Sequence, residues 1–209
     1  GIENYDKFLK TIGILTNINF DIQEVGETQL GRWGKCKLAT VAFGHGIATT
    51  LLQIAKGYSI ISNGGFEINP TLIKRQSKIK KKRILKKNIS EEINPILRKI
   101  VSTEEGTAGF ANVKGYQIGG KTGTADQPTE GWYSKKKINT FASIFPTSNP
   151  KFLLIVMLDE PKPNKDFVYE YRDGRLPYKG NWRNTAGWTT VWVAGKIIEK
   201  IGPILATKY

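Results

Sequence analysis

Gly115-Tyr116-Gln117-Ile118-Gly119-Gly120-Lys121-Thr122-Gly123-Thr124-Ala125 supports two readings that demand different folds. As G-x-x-x-x-G-K-T, the set Gly115, Gly120, Lys121 and Thr122 matches a phosphate-binding loop. The apolar run 152–158 followed by Asp159-Glu160 then resembles the acidic strand end that holds magnesium beside such loops. That chemistry requires Lys121 and Thr122 to open a helix, so that its N-terminus and backbone N–H groups cradle phosphate. Gly123, Pro128 and Gly131 forbid a helix there, and no buried parallel strand precedes Gly115. The run 152–158 also reads as an arm of a hairpin instead of a strand in a crossover unit. The other reading makes 120–125 an edge strand. A lysine supplies a fixed cation for a substrate carboxylate, alternating hydroxyls add hydrogen bonds to it, and a glycine lets substrate backbone lie against the strand.

Outward from this stretch, period-two patterning predicts strands over 116–125, 139–145 and 152–158. Pro146-Thr147-Ser148-Asn149-Pro150 joins the last two as an antiparallel hairpin. Because 152–158 is apolar at every position, it is expected to be covered on both faces. Four helices flank the strands. Tyr5, Phe8, Leu9 and Ile12 share a face ahead of Gly13. Thr50 and Gln53 have capping-box spacing before Leu51, Leu52, Ala55, Tyr58 and Ile61, and Asn63-Gly64-Gly65 ends that helix. A third is expected to start at Ser90 or Asn94, with Pro95 in its first turn, and to run through Leu97 and Ile100 to Val101. The last is capped by Thr189 or Thr190, aligns Val191, Ala194, Ile198 and Ile201, and stops at Gly202-Pro203. The Pro-, Gly-, Lys- and Asp-rich stretch 161–184 reads as a long excursion. The fold class is therefore α+β, a mostly antiparallel sheet covered by helices on both faces. One domain, or most of one, is expected, with a helical region over 1–108, a strand and hairpin region over 115–160, an excursion over 161–187 and a C-terminal helix over 188–205.

With 209 residues, 39% of them hydrophobic, the chain is long enough for one ordinary core. The net charge of +14 draws it toward anionic surfaces without choosing among them. Much of the excess falls in 74–87, at Lys74, Arg75, Lys78, Lys80, Lys81, Lys82, Arg83, Lys86 and Lys87. A basic nucleic-acid-binding module would want aromatic residues interleaved for stacking, and this run has none, so it reads as a solvated loop or hairpin. Cys36, the only cysteine, has no partner for a disulfide and no Cys/His cluster for a metal site. The chain opens with Gly1 and shows neither a leader nor a bilayer-length apolar run, so any targeting segment is expected upstream.

Gly120-Lys121-Thr122-Gly123-Thr124-Ala125 also matches the third signature of penicillin-recognising serine enzymes. Phe43-Gly44-His45-Gly46-Ile47-Ala48-Thr49-Thr50, then Leu52-Gln53 and Asn63-Gly64-Gly65, resembles the helix that class B penicillin-binding proteins place before that signature. The stretches 103–108, Gly115-Tyr116, 119–125, 141–146, 157–161 and Ala186-Gly187-Trp188 continue in the family's order, and the details resemble its alphaproteobacterial cell-division members most. Leu51, where the family usually has proline, and a longer excursion through 169–182 depart from the pattern. The resemblance implies the C-terminal portion of a transpeptidase domain, and for the whole protein a serine D,D-transpeptidase that cross-links peptidoglycan stem peptides ending in D-Ala-D-Ala and is trapped by β-lactams. It implies no cofactor and no metal, a place on the periplasmic face of the bacterial inner membrane through an upstream anchor, and other cell-division membrane proteins as partners. By the same resemblance Lys121 serves the carboxylate field and the proton network, Thr122 and Thr124 bind the carboxylate through their hydroxyls, Gly123 completes the motif, and the Thr124 N–H is one of two oxyanion donors.

The family's nucleophile motif S-x-x-K and its S-x-N both precede the region that this chain resembles, so no nucleophile is assigned here. Ser77-x-x-Lys80 and Ser134-x-x-Lys137 match the first motif in letters, but one sits in the basic run and the other follows the K-T-G strand, and both read as decoys. The lone histidine, His45, has no carboxylate or serine placed to form a triad and reads as structural or exposed. Trp132 and Tyr133 are candidates to wall a cleft, and Asp159-Glu160 to end a buried strand.

Overall fold

The computed structural model describes residues 1–22, 26–74, 82–129, 132–162, 164, 166–172, 174–179 and 183–208, and their side chains except those of 128, 129 and 132–135. The chain divides into two compact units, Gly1–Ile93 and Asn94–Tyr209.

In the first unit, α1 (Ile2–Thr11), α2 (Lys35–Ala42) and α3 (Leu51–Ser62) accompany a short antiparallel pair, β1 (Gln29–Leu30) and β2 (Ile47–Ala48). Leu9, Ile12, Val41 and Ile60 form its core. Phe8, expected on the buried face of α1, is instead 39% exposed. The capping box is present: Thr50 Oγ1 accepts the Gln53 N–H at 3.1 Å and Gln53 Oε1 accepts the Thr50 N–H at 3.0 Å. Gln53 is buried, and its Nε2 donates to the Thr16 carbonyl at 3.0 Å, so its amide is used at both ends. After Asn63, Gly65 takes a φ of 82°, where a Cβ would lie 2.1 Å from the Leu85 carbonyl oxygen.

The division between the units falls inside α4 (Lys87–Ser102), which begins earlier than the sequence suggests. Ser90 does not cap it: its hydroxyl accepts the Gly64 N–H at 2.8 Å and donates to the Ile61 carbonyl, fastening the end of α3. Pro95 consequently lies inside the helix and not in its first turn. It is tolerated because it faces outward, where water can satisfy the Glu91 carbonyl that a proline leaves without its helical N–H partner.

The second unit is built on a three-stranded antiparallel sheet, β3 (Gly119–Thr129), β4 (Trp132–Phe145) and β5 (Phe152–Asp159), in that order. Register places Gly119 opposite Ile144, Lys121 opposite Ala142, Thr124 opposite Asn139 and Phe141 opposite Val156. Directly opposed residues share a face. On one face Phe141, Phe145 and Val156 pack with Val191, Ala194 and Ile198 of α5 (Thr190–Lys208). On the other, a Cβ at Gly119 would lie 2.9 Å from the α4 backbone at Leu97 and Arg98, so α4 covers the face where Ala142 and Ile144 are buried. Helices thus lie on both faces of the sheet, the expected α+β arrangement.

Three expectations need correction. The strand 152–158 is not enclosed: among the described residues β5 pairs only with β4, most of it is half-buried, and Met157 is 45% exposed. An edge strand lacks neighbours on one flank, so apolar sequence alone does not guarantee burial. The last helix runs through Gly202-Pro203 to Lys208, because Gly202 serves packing: a Cβ there would sit 2.4 Å from the Tyr116 ring. Thr189 and Thr190 donate their hydroxyls backward, to the Thr185 and Ala186 carbonyls, instead of capping the helix forward. The excursion also does more than connect. Tyr169 and Tyr178 exchange backbone hydrogen bonds at 2.9 Å, and Tyr169 is buried against Phe110 and Trp188. The middle of the basic run, 75–81, lies outside the described residues, and its flank pairs Arg83 with Phe66.

Candidate functional site on the K-T-G strand

Lys121, Thr122, Gly123 and Thr124 occupy consecutive positions of β3, which among the described residues is an edge of its sheet. No helix opens at Lys121, so the phosphate-loop geometry is absent. Asp159 and Glu160 are likewise engaged locally: Gln127 donates to Asp159, and Glu160 pairs with Lys136 at 2.8 Å. The Lys136 hydrogen bond holds the Glu160 carboxyl below its usual range. Among the described residues no group of three or more His, Cys, Asp or Glu side chains is placed to hold a metal ion.

Strand alternation sorts the four residues. Lys121 and Gly123 stand opposite Ala142 and Thr140, whereas Thr122 and Thr124 stand opposite Phe141 and Asn139 on the other face. Lys121 is exposed, and its ammonium turns back to donate to the Thr122 carbonyl at 2.8 Å. The threonine hydroxyls are both held. Thr122 Oγ1 lies 2.9 Å from Thr107 Oγ1, and Thr124 Oγ1 accepts the Ala186 N–H at 2.9 Å. A hydroxyl that accepts one hydrogen bond still has a proton to donate, so Thr124 remains able to serve an incoming carboxylate.

The glycines of the motif differ in kind. At Gly119 and Gly120 an added Cβ would strike α4 backbone or the Phe141 ring at under 3 Å. At Gly123 the nearest atom would be the Thr140 carbonyl oxygen at 3.9 Å, effectively open space. Packing among the described residues therefore explains the first two glycines and leaves Gly123 bare, as a strand against which another backbone lies requires.

Thr107 and Ala186 escaped sequence reasoning as site residues. They lie 15 residues before Thr122 and 62 after Thr124, and both belong to stretches that carry the family resemblance without any motif chemistry of their own. The two segments meet: a Cβ at Gly187 would lie 2.6 Å from the Thr107 carbonyl oxygen. Ser134 and Lys137 both fall on β4, and the Lys137 ammonium is engaged by Asp126; the side chain of Ser134 lies outside those described. Ser77 and Lys80 lie outside the described residues, as do the side chains of Trp132 and Tyr133. His45 is half-buried, with its ring 5.8 Å from that of Phe43.

Comparison with known proteins bears on the same stretch. The family model for the penicillin-binding protein transpeptidase domain matches residues 1–175. The chain is 28% identical over its whole length to the probable peptidoglycan D,D-transpeptidase FtsI of Caulobacter vibrioides, covering 35% of that protein. It is 33% identical to the peptidoglycan D,D-transpeptidase FtsI of Buchnera aphidicola over 78% of its own length and 29% of the relative's. Among solved structures, the apo transpeptidase domain of Burkholderia pseudomallei penicillin-binding protein 3 superposes with a TM-score of 0.78 at 23% identity, over 97% of this chain and 57% of the other. Penicillin-binding protein 3 of Mycobacterium tuberculosis, complexed with ampicillin, gives 0.76 at 25% identity, over 97% and 46%. The chain thus spans about a third of the length of the curated relatives it matches.

Proposed function

Since the chain belongs to the penicillin-binding protein transpeptidase family, we propose that the whole protein is a serine D,D-transpeptidase of peptidoglycan, of the cell-division type, and that the chain's two units are portions of one transpeptidase domain. The nucleophilic serine and its lysine belong to an S-x-x-K motif outside this chain. The serine oxygen attacks the carbonyl of the D-Ala-D-Ala bond, the C–N bond breaks, and the terminal D-alanine leaves with the transferred proton. An amine of a neighbouring stem peptide then takes the acyl group and releases the serine. β-Lactams present the same carbonyl and carboxylate and stop at the acyl stage.

This chain's own role is recognition. Lys121 sets a positive field for the terminal carboxylate, Thr122 and Thr124 donate hydroxyl protons to it, and Gly123 lets the substrate backbone approach β3. The Thr124 N–H serves as one of the two donors to the oxyanion. The observation that carries the reading is the exposed edge of β3, with Lys121 in the open, Gly123 bare and both threonine hydroxyls fixed by neighbours. No helix of the described residues is long and apolar enough to cross a membrane, and we assign the anchor that would hold the protein at the periplasmic face of the inner membrane to a segment outside this chain. Other division proteins of that membrane are the proposed partners.

Fluorescent penicillin tests this directly. The whole protein is expected to take the label on the serine of its S-x-x-K motif, while this chain alone takes none. Lys121→Ala should slow acylation by about ten- to a hundredfold, as expected for loss of a charge-assisted hydrogen bond. Labelling that is indifferent to Lys121, or a stable adduct on Ser134, would remove the motif from the site.

A further inference from the structure

Asn139 is wholly buried in β4, directly across from Thr124. A primary amide brings two donors and an acceptor into the core. Its Nδ2 donates to Asn184 Oδ1 at 2.8 Å, while its own Oδ1 has no hydrogen-bond partner among the described residues. Its neighbour on that face of β4, Phe141, is apolar, and an apolar side chain at 139 would be buried without desolvating an amide. Core stability therefore does not explain Asn139; its grip on Asn184 does. Asn184 lies two residues before Ala186, whose N–H is donated to Thr124 Oγ1 at 2.9 Å. The four residues close a circuit: Thr124 to Asn139 across the strands, Asn139 to Asn184 through the amides, Asn184 to Ala186 along the chain, and Ala186 back to Thr124.

We infer that Asn139 and Asn184 are positioning residues for the carboxylate subsite, clamping 184–186 against β4 so that the Ala186 N–H occupies one lone pair of the Thr124 hydroxyl and leaves its proton for the ligand. The inference rests on the assignment of Thr124 to carboxylate binding. It brings the excursion, and not only β3, into ligand selection. Neither amide touches the ligand; each acts through Thr124. The contribution is to the acidic group of the ligand and not to the acyl carbonyl, which makes it separable from general damage.

The test measures second-order acylation rates of the whole protein with benzylpenicillin and with its methyl ester, which lacks the carboxylate. Asn184→Ala is expected to slow the acid about tenfold and leave the ester unchanged. Asn139→Leu should do the same, and the double variant should be no worse than either single one, as for two members of one network. Equal losses with acid and ester, or an acid-to-ester ratio equal to that of the parent, overturn the inference. If Asn139→Leu does not fold, Asn184→Ala, at a half-buried position, decides alone. A parent protein that treats acid and ester alike overturns the carboxylate subsite itself and the inference with it, an outcome distinct from a discriminating parent whose variants discriminate equally.

Discussion

Gly123 sits in a strand, where glycine is ordinarily a loss, and among the described residues only the Thr140 carbonyl oxygen, at 3.9 Å, comes near the place of its missing side chain. Gly123→Ala is therefore expected to keep or slightly raise the thermal midpoint of the whole protein while lowering the penicillin acylation rate by tenfold or more, roughly the cost of displacing one substrate hydrogen bond to the strand. A variant that acylates at the parental rate would make Gly123 an accident of sequence. Thr124 has two functions that one substitution cannot separate and two can. Thr124→Val removes the acceptor of the Ala186 N–H, and Ala186 is 1% exposed, so the variant should lose about 1–3 kcal/mol of stability as well as activity. Thr124→Ser keeps the oxygen and should lose little of either. Equal stability of the valine and serine variants by urea titration would show that water replaces Thr124 at that N–H.

α5 is joined to the excursion by charge as well as by aromatic packing. The Arg172 guanidinium donates through Nε to the Phe110 carbonyl at 2.8 Å and through Nη1 to Glu199 at 3.0 Å. Its hydrogen bond, joined by Lys196, holds the Glu199 carboxyl below the ordinary value of 4.5. A carboxyl depressed in the folded state contributes stability above its unfolded value and loses it as pH falls through the folded one. Glu199→Gln should therefore cost less than about 1 kcal/mol near neutrality, because Glu199 is half exposed, and the difference from the parent should vanish well below pH 4.5. A difference that persists in acid would trace to packing instead. The close approach of the same helix to Phe110 depends on Gly195, where a Cβ would lie 2.3 Å from the Phe110 carbonyl oxygen.

β5 gives the chain its most exposed liability. Leu153, Leu154, Ile155, Val156, Met157 and Leu158 form an apolar stretch of β5, which among the described residues pairs with a strand on one side only. Such an edge templates pairing with other chains, and each large side chain left partly wet forfeits a share of the roughly 1.5–3 kcal/mol its burial would bring. Produced alone, the chain is expected to self-associate, seen as growing light scattering at micromolar concentration. Co-production with the remainder of the protein should suppress it. A stable monomer with slow amide exchange throughout β5 would show that the strand needs no further cover.

Local signals carried much of this protein. The capping box at Thr50 and Gln53, the Asn63-Gly64-Gly65 stop, the 146–150 turn and the antiparallel hairpin are decided by residues within a few positions of one another, and the structure has them where the sequence puts them. The K-T-G strand was legible for the same reason, since glycines and a proline forbid the competing helix. What reached across the chain was not legible. Pro95 and Gly202-Pro203 look like helix ends until the exposure of one and the Tyr116 ring against the other show why the helices continue. The burial of Tyr169 against Phe110 and Trp188 and the anchoring of Thr122 and Thr124 by Thr107 and Ala186 depend on partners between 15 and 62 residues away. No periodicity records such contacts, because a hydroxyl's partner is chosen by where two segments meet in space and not by their spacing along the chain.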